Sequence, residues 1–234
     1  MKLKALTLAL GLGVFAFSSC DKKVDTNMAL NTTVDSVSYS IGASFGGNLL
    51  QNSLKEVNQD ALLAGLNAAL AKEDLRIEPR AGGAMINKFI KELKAKAGEE
   101  NKVLGEKFLE ENKGKDGVVT TESGLQYKIL AAGTGAIPTK DQQVKVHYRG
   151  TTIDGNEFDS SYKAGKPATF LPSRVIAGWT EALQLMPVGS KWELYIPSTL
   201  AYGPRGAGAN IGPNSTLIFE VELLEIVAAA VPAK

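Results

Sequence analysis

The chain has 234 residues, 44% of them hydrophobic and 22% charged, which is enough for one large or two modest domains and too apolar for a disordered tail. Twenty-six Lys and Arg against 25 Asp and Glu leave a net charge of +1, which excludes a polybasic nucleic-acid or membrane-surface protein. A single Cys and a single His exclude an intrachain disulfide framework and a Cys/His zinc cage, so no transition metal is expected, and no motif in the chain calls for a cofactor.

The first residues read as an address. Met1-Lys2-Leu3-Lys4 is a short positive start, followed by an apolar run over residues 5–17 and then Ser18, Ser19 and Cys20. Such a run rises about 20 Å as a helix, short of a hydrocarbon core of about 30 Å, so a signal peptide fits better than a spanning helix. The small pair before Cys20 resembles a bacterial lipobox, which implies lipidation of Cys20 and anchoring of the mature chain by its first residue. Cleavage of residues 1–19 removes Lys2 and Lys4 and leaves the remainder close to neutral. The expected segments are a signal peptide over 1–19, a tether over 20–33, a helical domain over 34–115, a second domain over 116–229 and a tail over 230–234.

Composition changes near Asp116: eight of the nine prolines and most of the aromatics follow it. Before it, apolar residues recur at helical spacing, first Tyr39, Ala43, Phe45, Leu49 and Leu50, then Leu62, Leu63, Leu66, Ala69 and Leu70. Residues 35–38 and 58–60 are the expected caps, with breaks at Gly46-Gly47, Pro79 and Gly82-Gly83. The strongest helical pattern spans 84–112, with Ile86, Phe89, Ile90, Leu93, Ala97, Leu104 and Phe108 on one stripe. A helix of about 28 residues is about 42 Å long, so its second half is expected to stand clear as a solvated arm. Short helices with exposed apolar faces make a thin core alone, and association with a second copy, by helix swapping or otherwise, is the expected remedy.

After Gly117 the period becomes two. Leu125, Tyr127 and Ile129 alternate with polar neighbours, as do Val144, Val146 and Tyr148, then Trp192, Leu194 and Ile196, and finally Leu217, Phe219 and Val221. Asp154-Gly155 is a tight-turn signal, and a short helix fits 175–186 before Pro187. One helix on an antiparallel sheet gives an α+β fold class, preceded here by an all-α region and a long linker helix.

The strings Val146-His147-Tyr148-Arg149-Gly150, Phe158-Asp159-Ser160-Ser161, Val175-Ile176-Ala177-Gly178-Trp179, Ala201-Tyr202-Gly203 and Leu217-Ile218-Phe219-Glu220-Val221 resemble the FKBP-type peptidyl-prolyl cis-trans isomerases in order and spacing. The helical first half resembles the dimeric, macrophage-infectivity-potentiator type of bacterial FKBP. The resemblance implies a pocket floored by Trp179 and walled by Tyr148, Phe158, Val175, Ile176, Tyr202, Ile211 and Phe219, with Asp159 at its rim. It also implies that the backbone N–H of Ile176 and the hydroxyl of Tyr202 hold substrate carbonyls while Asp159 orients the site electrostatically.

The implied substrate is an X-Pro bond in unfolded or exported polypeptides, the implied location the cell envelope, facing the periplasm or at the outer membrane, and macrolides are candidate inhibitors. A dimeric chaperone or peptide-binding adaptor with little turnover is the alternative. Taken one at a time, the aromatics could as well be core, and Asp159 a turn residue. This chain carries Ala168 after Pro167, where small single-domain members carry an aromatic, and Ala207 near the place of their flap histidine, which makes the rim less aromatic.

Other signals fail. Residues 154–159 begin like a calcium loop but lack the Gly at position six and the Glu at position twelve. Residues 206–212 are misspaced for a dinucleotide fingerprint and run into Pro213. His147 falls between Lys145 and Arg149 on the polar face of its strand and is expected to face solvent rather than act as a base.

Overall fold

The computed structural model describes residues 27–52, 54 and 56–227. The leader, Cys20 and the tail from 230 lie outside the described residues. Among the described residues, those up to Ala43 form one unit and those from Ser44 onward a second. Every packing contact below lies within the second.

Three helices come first: α1 (Thr33–Gln51), α2 (Gln59–Ala71) and α3 (Pro79–Asn112). A reciprocal cap starts α1, with Thr32 N donating to Asp35 Oδ2 at 2.9 Å and Asp35 N donating to Thr32 Oγ1 at 3.1 Å. Asn58 caps α2 as expected, its Oδ1 accepting from Ala61 N at 3.0 Å. Gly46-Gly47 and Gly82-Gly83 do not break the chain; α1 and α3 run through them, because an interior glycine costs only about 1 kcal/mol and neighbouring good helix formers outweigh it. Helix α3 starts at Pro79, whose missing N–H falls where no intrahelical acceptor exists, five residues earlier than the apolar pattern indicates. No helix among the described residues is long and apolar enough to cross a membrane.

Seven antiparallel strands follow: β1 (Val118–Thr120), β2 (Gln126–Ala131), β3 (Val144–Thr152), β4 (Glu157–Ser160), β5 (Ala168–Phe170), β6 (Lys191–Ile196) and β7 (Leu217–Ile226), with α4 (Ala177–Leu183) between β5 and β6. The order is β1-β2-β6-β7-β3-β4, and β5 also pairs with β3. The alternation works as read in β3, β6 and β7, where Val144, Val146, Trp192, Leu194, Ile196, Leu217, Phe219 and Val221 are buried together with Leu125 and with Trp179, Leu183 and Met186 of the α4 segment; it fails in β2, where Gln126 is buried against α3 and Ile129 is 48% exposed. Each such side chain contributes about 1.5–3 kcal/mol, so this face carries the stability of the domain. Helix α4 sits close because residue 178 is glycine; a Cβ there would come within 2.5 Å of Ile196 Cγ2.

The second half of α3 is not a solvated arm. Its buried residues are Gly98, Gly105 and Asn112, seven apart and therefore on one face. Asn112 Nδ2 donates to Gln126 Oε1 at 3.0 Å, Gln126 Nε2 donates to Leu109 O at 2.8 Å, and Phe108 packs on Tyr195 with ring centres 6.0 Å apart. A Cβ on Gly105 would overlap Thr216 Oγ1. The predicted stripe is only partly covered: Ile86, Phe89 and Leu104 are exposed, whereas Ile90, Leu93, Ala97 and Phe108 are partly buried. Beside Phe108, the arm docks through small and polar residues, a face that a search for apolar periodicity does not score.

Candidate active site

Strand β3 shares one edge between two partners, β5 at residues 144–146 and β4 at residues 149–151. Tyr148 stands in the gap. There Ser161 replaces the ladder: its N–H donates to Tyr148 O at 3.0 Å and its Oγ accepts from Tyr148 N at 2.8 Å. Across the gap Asp159, one residue from the end of β4, lies beside Tyr148. The Tyr148 hydroxyl donates to Asp159 Oδ2 at 2.6 Å, and Asp159 Oδ1 accepts from Ser160 N at 2.9 Å. Burial first, then the bond to Asp159 and its charge, push the Tyr148 hydroxyl well above the usual tyrosine range; the Tyr202 phenol adds a smaller push in the same direction. Tyr148 therefore stays a donor at all ordinary pH and keeps the carboxylate turned toward the rings.

Trp179, 4% exposed, is the hub. Tyr148, Phe170 and Phe219 meet it edge-on, with ring centres at 5.4, 5.5 and 5.3 Å and interplanar angles of 88, 78 and 82°. Phe158 meets Phe219 the same way at 5.5 Å and 82°. Edge-to-face pairs of this kind contribute about 0.5–1.5 kcal/mol each beyond burial and fix ring orientation. The Trp179 indole N–H is buried without an acceptor.

Phe158, Val175 and Ile176 are half-buried against this cluster, and Ile211 is buried in it. Ile176 is the residue before α4; its carbonyl accepts from Trp179 N at 2.9 Å, and its own N–H has no intrahelical acceptor. Tyr202 lies between two short 3-10 turns and is 41% exposed, against 7% for Ile211 and 8% for Tyr148. Of the residues expected from the sequence, Tyr148 and Phe219 thus meet the Trp179 ring, Phe158 meets Phe219, Asp159 is held by Tyr148, and Val175, Ile176 and Ile211 pack on the same core, while Tyr202 is left outward on its own loop.

One ring was missed. Phe170 packs on both Tyr148, at 5.6 Å, and Trp179. Its strand, Ala168-Thr169-Phe170, has only three residues after Pro167, too few for a period to register, although the apolar-polar-apolar order was there to find. His147 also departs from expectation: it is half-buried, stacked on Tyr162 at 4.7 Å with its Nδ1 3.0 Å from Ser161 Oγ. It braces the gap from the sheet's outer face and does not reach the rings.

Residues 135–224 match the family described as FKBP-type peptidyl-prolyl cis-trans isomerase, and residues 34–129 match the domain described as amino terminal to it. The chain is 47% identical to the "Outer membrane protein MIP" of Legionella longbeachae over 98% of this chain and 100% of that one. This chain belongs to the FKBP-type peptidyl-prolyl cis-trans isomerases. It is also 46% identical to the FKBP-type 22 kDa peptidyl-prolyl cis-trans isomerase of Escherichia coli strain K12, over 86% of this chain and 99% of that one. Among solved structures, FkpA from Escherichia coli superposes with a TM-score of 0.63 at 35% identity, covering 85% of this chain and 98% of that chain. The isomerase is therefore an α+β domain of this family following a helical region, as the alternation and the strings indicate.

Proposed function

We propose that this isomerase turns X-Pro bonds of polypeptides in the cell envelope, gripping the proline ring against Trp179 while the preceding carbonyl rotates. The amide resists twisting because resonance keeps it planar, with a barrier of about 18–20 kcal/mol. The twisted amide has lost that resonance, is less dipolar, and loses less on leaving water. A dry ring cluster therefore favours the twisted form over the planar one. No nucleophile and no proton transfer is required.

In this reading Phe158, Val175, Ile211, Phe219 and Tyr148 wall the proline; Phe170 backs the Tyr148 and Trp179 rings. The Ile176 N–H and the Tyr202 hydroxyl hold the flanking carbonyls, and Asp159, fixed by Tyr148, sets the field at the rim. The observation that carries the reading is the convergence of the Tyr148, Phe158 and Phe170 rings on the Trp179–Phe219 pair, beside a carboxylate held by Tyr148 at 2.6 Å. A protease-free proline-switch assay tests it. Tyr202→Phe is expected to lower kcat/KM about three- to tenfold, as one hydrogen bond lost, and Asp159→Ala to lower it more, because it also strands the Tyr148 donor. Equal rates for wild type and the double variant would remove the reading.

The chain is further proposed to act at the envelope from a lipid anchor on Cys20, as a homodimer joined by the helices of residues 34–115. The lipobox-like start and the printed name of the Legionella relative support the first part. The second is supported by the uncovered Val37, Ile41, Phe45, Leu63, Leu66 and Leu70. Radiolabelled palmitate incorporation that survives Cys20→Ser would exclude the anchor.

A further inference from the structure

We infer that Asn101 on α3 and Asn214 before β7 form a bracket that holds Tyr202 in its working position, so that the linker helix positions the site. The inference rests on the isomerase reading above. Asn101 Nδ2 donates to Pro213 O at 2.8 Å, and Asn214 Nδ2 donates back to Gly98 O at 3.1 Å. The two bonds tie the 213–214 peptide to consecutive points on one helix face, separated by three residues. Glycine at 98 is what admits them, since a Cβ there would press on Pro213 Cβ at 3.1 Å and on Asn214 Nδ2 at 3.3 Å.

Asn214 carries the tie onward. Its backbone N–H donates to Gly203 O at 2.8 Å, the residue directly after Tyr202. Its φ is +54°, a left-handed conformation that Asn tolerates better than other side chains and that directs the N–H toward Gly203 while the side chain reaches α3. Ile211, the buried pocket wall, lies two residues ahead of Pro213, and Ala207 N donates to Ile211 O at 2.8 Å to close the loop between. Tyr202 is 41% exposed and no hydrogen bond of its hydroxyl fixes it among the described residues, so its place depends on the backbone that holds it. That backbone is tied to α3 within three links, and Asn101 and Asn214 are thereby positioning residues that never touch substrate.

Two full-length variants separate the tie from the fold. Asn214→Gly keeps the left-handed backbone and its N–H but removes the bond to Gly98; Asn101→Asp keeps the side-chain shape but places an acceptor against Pro213 O. Each is expected to raise KM for a proline peptide about three- to tenfold, the range one hydrogen bond carries, with kcat changed less than twofold. Amide exchange over residues 202–214 should quicken at least threefold, while exchange in β6 and β7 stays as in wild type. Unchanged KM with unchanged loop exchange in both variants overturns the bracket. So does faster exchange throughout β6 and β7, which would make the asparagines ordinary stabilisers. A wild-type chain without isomerase activity would remove the isomerase reading alone, since loop exchange would still decide the bracket.

Discussion

Helix α2 and strand β6 are both apolar and have opposite fates. The strand pairs with the core residues Leu217, Phe219 and Val221 of β7 and itself buries Trp192, Leu194, Tyr195 and Ile196; α2, built mostly of Ala and Leu, buries none of its residues. Apolar composition fixes what a segment gains by burial, and only a facing surface realises that gain. The strand has its surface within the chain, in α4 and the neighbouring strands. The helix does not, which is why its proposed partner is a second copy.

The largest expected difference sharpens this contrast. Both tryptophans, Trp179 and Trp192, lie in the sheet domain's core, so fluorescence on denaturation follows that domain alone. Leu194→Ala should lower its stability by about 2–5 kcal/mol, as expected for a fully buried leucine, whereas Leu70→Ala should move the same transition by less than about 0.5 kcal/mol. A comparable shift from Leu70→Ala would mean that α2 is packed after all. Leu66→Glu with Leu70→Glu should instead halve the mass seen by sedimentation while leaving turnover of a short proline peptide within twofold, since neither residue is near the rings. A dimer that survives both charges would have to be joined elsewhere.

The two halves of α3 make the same comparison inside one helix. Gly83 has nothing within 4 Å of where a Cβ would stand, whereas at Gly105 it would overlap Thr216. Gly83→Ala should therefore gain about 0.5–1 kcal/mol from reduced unfolded-chain entropy, and Gly105→Ala should cost about 1–3 kcal/mol from overpacking. Opposite signs for one chemical change, read as melting temperatures, would show that the second half is docked and the first free; equal signs would break that distinction.

These glycines also mark how far the sequence could be read. The sheet was legible because one face is buried, and Val144, Val146 and Tyr148 or Trp192, Leu194 and Ile196 therefore follow a strict period. The ring cluster was legible through its strings of residues rather than its composition, and Phe170 escaped because three residues carry no period. The docked face of α3 was illegible for a different reason. Gly98, Asn101, Gly105 and Asn112 recur with helical spacing, yet they are complementary to Pro213, Thr216 and Gln126 by shape and hydrogen bonding, which no scale of hydrophobicity weighs. Glycine read as a breaker sent Gly46-Gly47 and Gly82-Gly83 to breaks between elements, where the structure keeps them in helices.

The smallest effect concerns Tyr148 and Tyr195, two buried tyrosines that donate to carboxylates. Tyr148 donates to Asp159 and Tyr195 to Glu193, each at 2.6 Å, and in each case burial, then the bonded carboxylate, holds the hydroxyl above its ordinary range. Unfolded tyrosines ionise near pH 10. Below that pH both states keep these protons and the stabilisation is fully present; above it the unfolded chain releases protons that the folded chain retains, so stability falls as pH rises. At pH 7 Tyr148→Phe should cost about 1 kcal/mol, the net worth of its hydrogen bond. Between pH 10 and 11 the gap between wild type and Tyr148→Phe should narrow, because the variant has lost one of the groups whose proton the folded chain retains. A gap that stays constant through that window would mean that Tyr148 ionises alike in both states, and the buried bond to Asp159 would not be what orients the carboxylate.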